Sequence, residues 1–194
     1  MPDASKLPIT GDPEADRLLE REPLALLVGM LLDQQVPMEW AFSSPARLKE
    51  RLGGTLDASA IASMPSDELE ALFKQRPALH RYPGSMAKRT QDLCRHIVDH
   101  FGGDPAGVWK GAETGEELFR RIRALPGYGE DKARIFLALL AKRLGRAPEG
   151  WEPFAGPFAD DTPRSVADID SPAALERVRE FKRAMKAEGK TKAD

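Results

Sequence analysis

The residues best placed to do chemistry fall in one stretch, Leu125-Pro126-Gly127-Tyr128-Gly129-Glu130-Asp131-Lys132-Ala133. Upstream, Leu118, Phe119, Ile122 and Leu125 recur at three- and four-residue spacing, and downstream Ile135, Phe136, Leu139, Leu140 and Leu144 do much the same. Each run is one apolar stripe of a helix. Pro126 and the two glycines break the pattern between them, which predicts helix, short hairpin, helix. Gly127 and Gly129 are expected to take positive φ and to let the backbone approach a partner closely. The amides that open the second helix lack intrahelical acceptors and carry partial positive charge, so they suit a phosphate group. Arg120, Arg121, Arg123, Lys132, Arg134, Lys142, Arg143 and Arg146 outnumber Glu116, Glu117, Glu130 and Asp131 around them. Pro126, Gly127, Tyr128, Gly129 and Lys132 are therefore the candidate contacts to a nucleic-acid backbone. An ordinary αα-hairpin with a glycine C-cap explains one glycine, but not Pro-Gly-Tyr-Gly with basic flanks.

Other reactive side chains offer less. His96 and His100 stand four apart on one helix, a spacing that can hold a metal, but no third ligand is evident and no metal is expected. Cys94 is the one cysteine, which excludes a disulfide within the chain and any four-cysteine zinc or iron–sulfur site. Its expected role is packing. Net charge is −2 over 194 residues, with 41% hydrophobic and 31% charged. This is no global polycation, so nucleic-acid binding must come from a local face. No apolar run reaches membrane-spanning length and the N-terminus is polar, so the expectation is a soluble, cytoplasmic monomer with no membrane partner.

The elements that must position the hairpin read as helices throughout, since strand alternation and β-branched runs are missing. Four segments are expected: an arm and short helix over 1–21, a core over 22–146 with the hairpin at 125–129, a Pro/Gly-rich loop over 147–170, and a helix with a basic tail over 171–194. Residues 1–11 read as a loose arm. Asp12-Pro13 caps the first helix, and Leu24 to Leu32 is apolar nearly all round, the mark of a central buried helix. It ends in Asp33-Gln34-Gln35-Val36-Pro37, and buried amides there would need partners. Pro37 restarts a short helix through Phe42, and Ser44-Pro45 caps another to Leu52. Asp57 to Ala62 and Ser66 to Phe73 are short helices. Gln75 to Gly84 is a loop with His80, Arg81 and Tyr82. A long helix runs from Ser85 to His100, with Lys88 and Arg89 on its first turn, either solvated or in contact with phosphate. Thr114 caps the first hairpin helix. Trp151, Phe154 and Phe158 are the apolar anchors of the long loop, and Ser171-Pro172 opens the last helix, whose tail from Lys186 reads as frayed.

The order of these features resembles the helix-hairpin-helix base-excision DNA glycosylase superfamily (the HhH-GPD fold). The resemblance covers about residues 22–146. It rests on Met30-Leu31-Leu32-Asp33-Gln34-Gln35-Val36, on Lys88, and above all on Leu125 to Ala133. It implies an all-α, two-lobed helical fold, and a small member without an iron–sulfur cluster. The implied activity is hydrolysis of the N-glycosidic bond of a damaged base in duplex DNA. The alternative is a DNA-binding member that has lost catalysis and acts as a damage sensor or architectural factor. Gln35 and Lys88 join the hairpin as implied DNA contacts, no cofactor is implied, and a monovalent cation at the hairpin is compatible with the family. Bifunctional members carry a Lys two residues after the second hairpin glycine as a Schiff-base nucleophile. Here that position is Asp131, and Lys132 is turned about 100° away on the helix, which implies no lyase activity. The family also carries an Asp after the second hairpin helix, which opposes the positive charge developing on the sugar. Asp161 is the expected counterpart, with Glu149 and Glu152 as alternatives. Trp40, Tyr82, Trp109 and Trp151 are candidates for a wedge or stacking pocket.

Overall fold

The computed structural model describes residues 5–194, and the described residues form ten α-helices and three short 3-10 turns with no strand. The helices are α1 (Pro13–Arg21), α2 (Pro23–Leu32), α3 (Met38–Arg51), α4 (Ala58–Ser63), α5 (Ser66–Lys74), α6 (Pro83–Phe101), α7 (Gly115–Arg123), α8 (Glu130–Leu144), α9 (Glu152–Ala155) and α10 (Pro172–Ala187). The fold is all-α. One group of helices, α1 to α6, and a second, α7 to α10, share a continuous apolar core.

Helix α2 is the axis of that core. Every residue from Leu24 to Leu32 is buried, so the helix has no polar face and packs against neighbours on all sides. Full burial of one such Leu side chain contributes about 1.5–3 kcal/mol. The second group is tied to α2 by two side-chain hydrogen bonds: the Tyr128 hydroxyl donates to Leu27 O at 2.7 Å, and Lys132 Nζ donates to Leu31 O at 2.8 Å. Caps appear where expected. Asp12, Thr114 and Ser171 accept from Glu14 N, Glu117 N and Ala174 N at the starts of α1, α7 and α10.

Four expectations change. The part of the arm from Ser5 onward is packed rather than loose: Leu7 and Ile9 are fully buried, and the Asp16 carboxylate accepts from the amides of Ile9 and Thr10. Residues 1–4 lie outside the described residues. Pro45 does not open a new helix; it sits inside α3, where the hydroxyls of Ser43 and Ser44 bond the carbonyls of Glu39 and Trp40. Within 147–170, Phe158 is fully buried, Phe154 stacks on Phe119 at 6.4 Å, and α9 rests on α7 and α8, so the segment is structured. The tail beyond α10 is folded back. Lys190 N bonds Met185 O, Thr191 bonds the Asp194 carboxylate, and Arg164 donates to Lys192 O at 3.4 Å.

Candidate nucleic-acid interface and interlobe pocket

The hairpin is shaped from within. Gly127 takes φ +83°, as its turn requires, and a Cβ there would also meet Leu31 Cδ1 at 2.4 Å. Gly129 does not share this constraint. Its φ is −70°, an extended N-cap, and a Cβ built on it meets nothing within 4 Å. The expected positive φ at Gly129 is thus corrected: its backbone conformation is open to any residue, and its lack of a side chain leaves space in front of the helix. No side chain caps α8, so the first amides of that helix face solvent with their partial positive charge.

Tyr128 is not a surface contact. It is 2% exposed, its ring meets Phe136 edge-on at 5.8 Å, and its hydroxyl is spent on Leu27 O. Burial pushes its hydroxyl pKa well above the usual value. Tyr128 therefore anchors the hairpin to α2 and leaves Pro126, Gly127 and Gly129 at the surface. Lys132 also turns inward, onto Leu31 O, and burial lowers its pKa to about 8. It closes the C-terminal end of α2 instead of reaching toward a phosphate, a favourable place for a cation against the helix dipole.

Beside the hairpin lies a depression of about 580 Å³, lined by Arg89, Asp92, Arg123 and the residues from Ala124 to Gly129. Arg89 and Arg123 are exposed. Arg123 donates to Tyr128 O at 3.2 Å, while Leu125 O accepts from Tyr128 N. A guanidinium thus already bonds one of the hairpin carbonyls. Lys88 is exposed and bonded to Asp92 at 2.8 Å; α6 starts at Pro83, which moves Lys88 and Arg89 to its second turn, and Arg89, without an ion pair among the described residues, reaches Gln34.

The two amides at the end of α2 find the partners that the sequence left open. Gln34 donates to Leu31 O at 3.0 Å and accepts from Arg89 at 3.1 Å. Gln35 is exposed with φ +58°, the one non-glycine residue among those described with positive φ. Strain of this kind persists only where the surroundings hold it. His80 supplies the hold: it is buried, its Nε2 lies 3.1 Å from Leu32 O and 2.9 Å from Gln34 O, and its Nδ1 accepts from Tyr82 N. Burial lowers the His80 pKa, and the neighbouring Lys132 and Arg89 push it the same way. His80 is a neutral pin, and Arg81 and Tyr82 just after it are exposed.

The expected carboxylates do not gather at the hairpin. Asp161 is exposed, and its neighbour Asp160 bonds Arg164 while the Asp160 carbonyl accepts from Lys142. Lys142 stands near the far end of α8, roughly 18 Å along the axis from Glu130 at 1.5 Å per residue. Glu149 is exposed just beyond that end, and Glu152 is exposed at the start of α9. The acid near the turn is Asp33, half-buried at the C-cap of α2. Its charge acts on both Lys132 and Lys182. Asp33 lines two adjoining pockets between this turn and α10. Spacing alone did not single it out, because its partners come from α8 and α10.

Trp109 packs on Phe136, and Trp40 donates to Ala78 O at 3.1 Å. Tyr82 is 43% exposed, with Arg81 over its ring. Cys94 is fully buried, its thiol pushed up to about 12 by burial. His96 and His100 stack on each other at 4.0 Å, and no cluster able to hold a metal is found among the described residues. Among the described residues, no helix is long and apolar enough to cross a membrane.

No curated protein matches the chain. Among solved structures, a trapped covalent intermediate of endonuclease III with DNA, an estranged-adenine complex, is similar at 18% identity with a TM-score of 0.48, over 84% of this chain and 75% of that one. The family model described as "HhH-GPD superfamily base excision DNA repair protein" matches residues 28–193, from the buried α2 through the hairpin to the tail, and the chain belongs to that superfamily.

Proposed function

We propose that this protein is a monofunctional DNA glycosylase that hydrolyses the N-glycosidic bond of a damaged base in duplex DNA, acting as a cytoplasmic monomer without a cofactor. The observation that carries the reading is the joint placement of the hairpin and the Asp33–Val36 turn. The uncapped start of α8, Arg123 and Arg89 form one basic depression, and Arg89 reaches directly from it to Gln34. A duplex held at the hairpin by backbone phosphates would present its flipped nucleotide beside the exposed Gln35.

In this reading Asp33 takes the catalytic role expected of Asp161. A carboxylate held beside the extruded sugar opposes the positive charge that grows on the anomeric carbon as the base leaves. Water completes the hydrolysis, with the base departing on the bonding electron pair and a proton. No lyase step follows, because the position two after Gly129 is Asp131 and the adjacent Lys132 is committed to Leu31 O. One observation favours the second reading, a damage sensor without catalysis: none of Asp161, Glu149 and Glu152 lies near the hairpin.

Base release decides between them. The protein is incubated with duplexes that each hold one damaged base, then treated with hot alkali. Strand cleavage only after alkali is the expected result. Cleavage without alkali overturns the monofunctional reading, and duplex binding without any cleavage establishes the sensor.

A further inference from the structure

Four lysines converge where the chain folds back on itself. Lys182 and Lys186 stand four apart on α10 and so share a face. Lys190 and Lys192 follow on the returning tail, which is held by Lys190 N to Met185 O and by Arg164 to Lys192 O. These four side chains and the Asp33–Val36 turn line a cavity of about 380 Å³. That volume lies at the small end of the range of roughly 300–1,000 Å³ found for small-ligand sites.

The charges in this cavity are not balanced from within. Its lining contains one carboxylate, Asp33. Lys190 is paired with Glu188 at 3.2 Å, whereas Lys182, Lys186 and Lys192 form no ion pair among the described residues. Lys182 is half-buried and its ammonium donates to the Met38 sulfur at 3.3 Å, a weak acceptor for a desolvated cation. Burial lowers the pKa of Lys182 against the opposing charges of Asp33 and Glu39, and Lys192 lowers it further while also acting on Lys132. Gathering like charges in a partly desolvated site costs free energy, and a bound anion relieves that cost. Lysine offers compact, freely oriented donors, which suits the oxygens of a tetrahedral anion better than a planar carboxylate.

We propose that this cavity is a phosphate-binding site, separate from the hairpin, that receives a phosphoryl group beside Asp33. The site stands whether or not Asp33 acts in catalysis. Two sources share this chemistry, a phosphate of the DNA strand and a free phosphate.

The test is a thermal melt of the full chain in sodium phosphate and in sodium chloride at equal ionic strength. Phosphate is expected to raise the Tm by several degrees over chloride. The paired variant Lys186→Met/Lys192→Met should need at least tenfold more phosphate for the same rise, and Lys182→Met should behave alike. The paired substitution spares Lys182 and its contact with Met38, so a folding defect in one variant does not mask the result. Equal melting in the two salts, or an unchanged rise in both variants, overturns the site. A short single strand with a 5′-phosphate is then compared with its unphosphorylated twin. Tighter binding of the phosphorylated strand, lost in the variants, assigns the site to DNA; equal binding, with the response to inorganic phosphate intact, assigns it to free phosphate.

Discussion

The hairpin and the lysine pocket are both basic, but they are made in opposite ways. The hairpin presents backbone: its amides project because Gly129 has no side chain, and its shape is fixed by Gly127 and by a tyrosine sunk into the core. The pocket presents side chains on two segments far apart in sequence, the turn after α2 and the last helix with its tail. A backbone site is specified by a few consecutive residues and tolerates change around it. A side-chain site depends on every element that carries one of its walls, and is silent in any local window.

The largest effect expected from breaking this division is at Asp33. Asp33→Asn should lower base release by at least about 100-fold, the scale of removing one electrostatic stabiliser of a transition state, while duplex affinity in a binding titration stays the same. Asp161→Asn should leave release unchanged. The opposite pattern returns the catalytic assignment to Asp161 and detaches the pocket from the chemistry.

Next is the anchor. Tyr128→Ala removes a buried ring and leaves Leu27 O without its partner, so chemical denaturation should show a loss of about 3–5 kcal/mol. A loss within about 0.5 kcal/mol would mean that the hairpin is held by its turn alone. The two glycines sharpen the point further. Gly127→Ala should cost about 1–3 kcal/mol, from a strained left-handed backbone and contact with Leu31. Gly129→Ala should change stability by no more than about 0.5 kcal/mol, yet weaken duplex binding, because its Cβ enters the space that a phosphate would use. Equal stability losses in the two variants would show that Gly129 is constrained after all.

The last comparison concerns Lys132. Its pKa in the folded protein, about 8, lies below its ordinary value of 10.5. Between those values the unfolded chain holds the proton more firmly than the folded one, so this group makes stability rise with pH across that window. Below about pH 8 both states are protonated and the dependence vanishes. Lys132→Met should flatten the rise in Tm between pH 8 and 10; an unaltered slope would place the ammonium in solvent and restore it as a phosphate contact.

What could be read in advance followed the same division. Helix α2, the capped helices α1, α7 and α10, and the hairpin itself follow from periodicity and consecutive turn residues. So does the superfamily, since Leu125 to Ala133 is contiguous. The roles within the hairpin were less legible. Tyr128 and Lys132 look like surface groups in a basic stretch, and only the position of α2 shows that both point inward. Pro45 signals a helix start locally, but α3 runs through it with the hydroxyls of Ser43 and Ser44 bonded to the preceding turn. His80 reads as part of a basic loop, and its partners lie far away at Leu32 and Gln34. Asp33 reads only as part of an apolar helix ending, because nothing near it in sequence reveals Lys132 or Lys182.

The single cysteine gives this molecule a built-in clock. A thiol-reactive dye cannot reach Cys94 while α6 is packed, and its high pKa keeps the nucleophilic thiolate scarce even when a dye approaches. At dye concentrations high enough to outrun reclosure, labelling of the native chain should therefore proceed at the rate at which the helices around Cys94 open. No engineered reporter is needed, and the modification can be counted by mass one molecule at a time. If DNA clamps the hairpin lobe to the lobe that holds Cys94, a bound duplex will slow the clock, and the size of the delay will measure how firmly the two halves are joined.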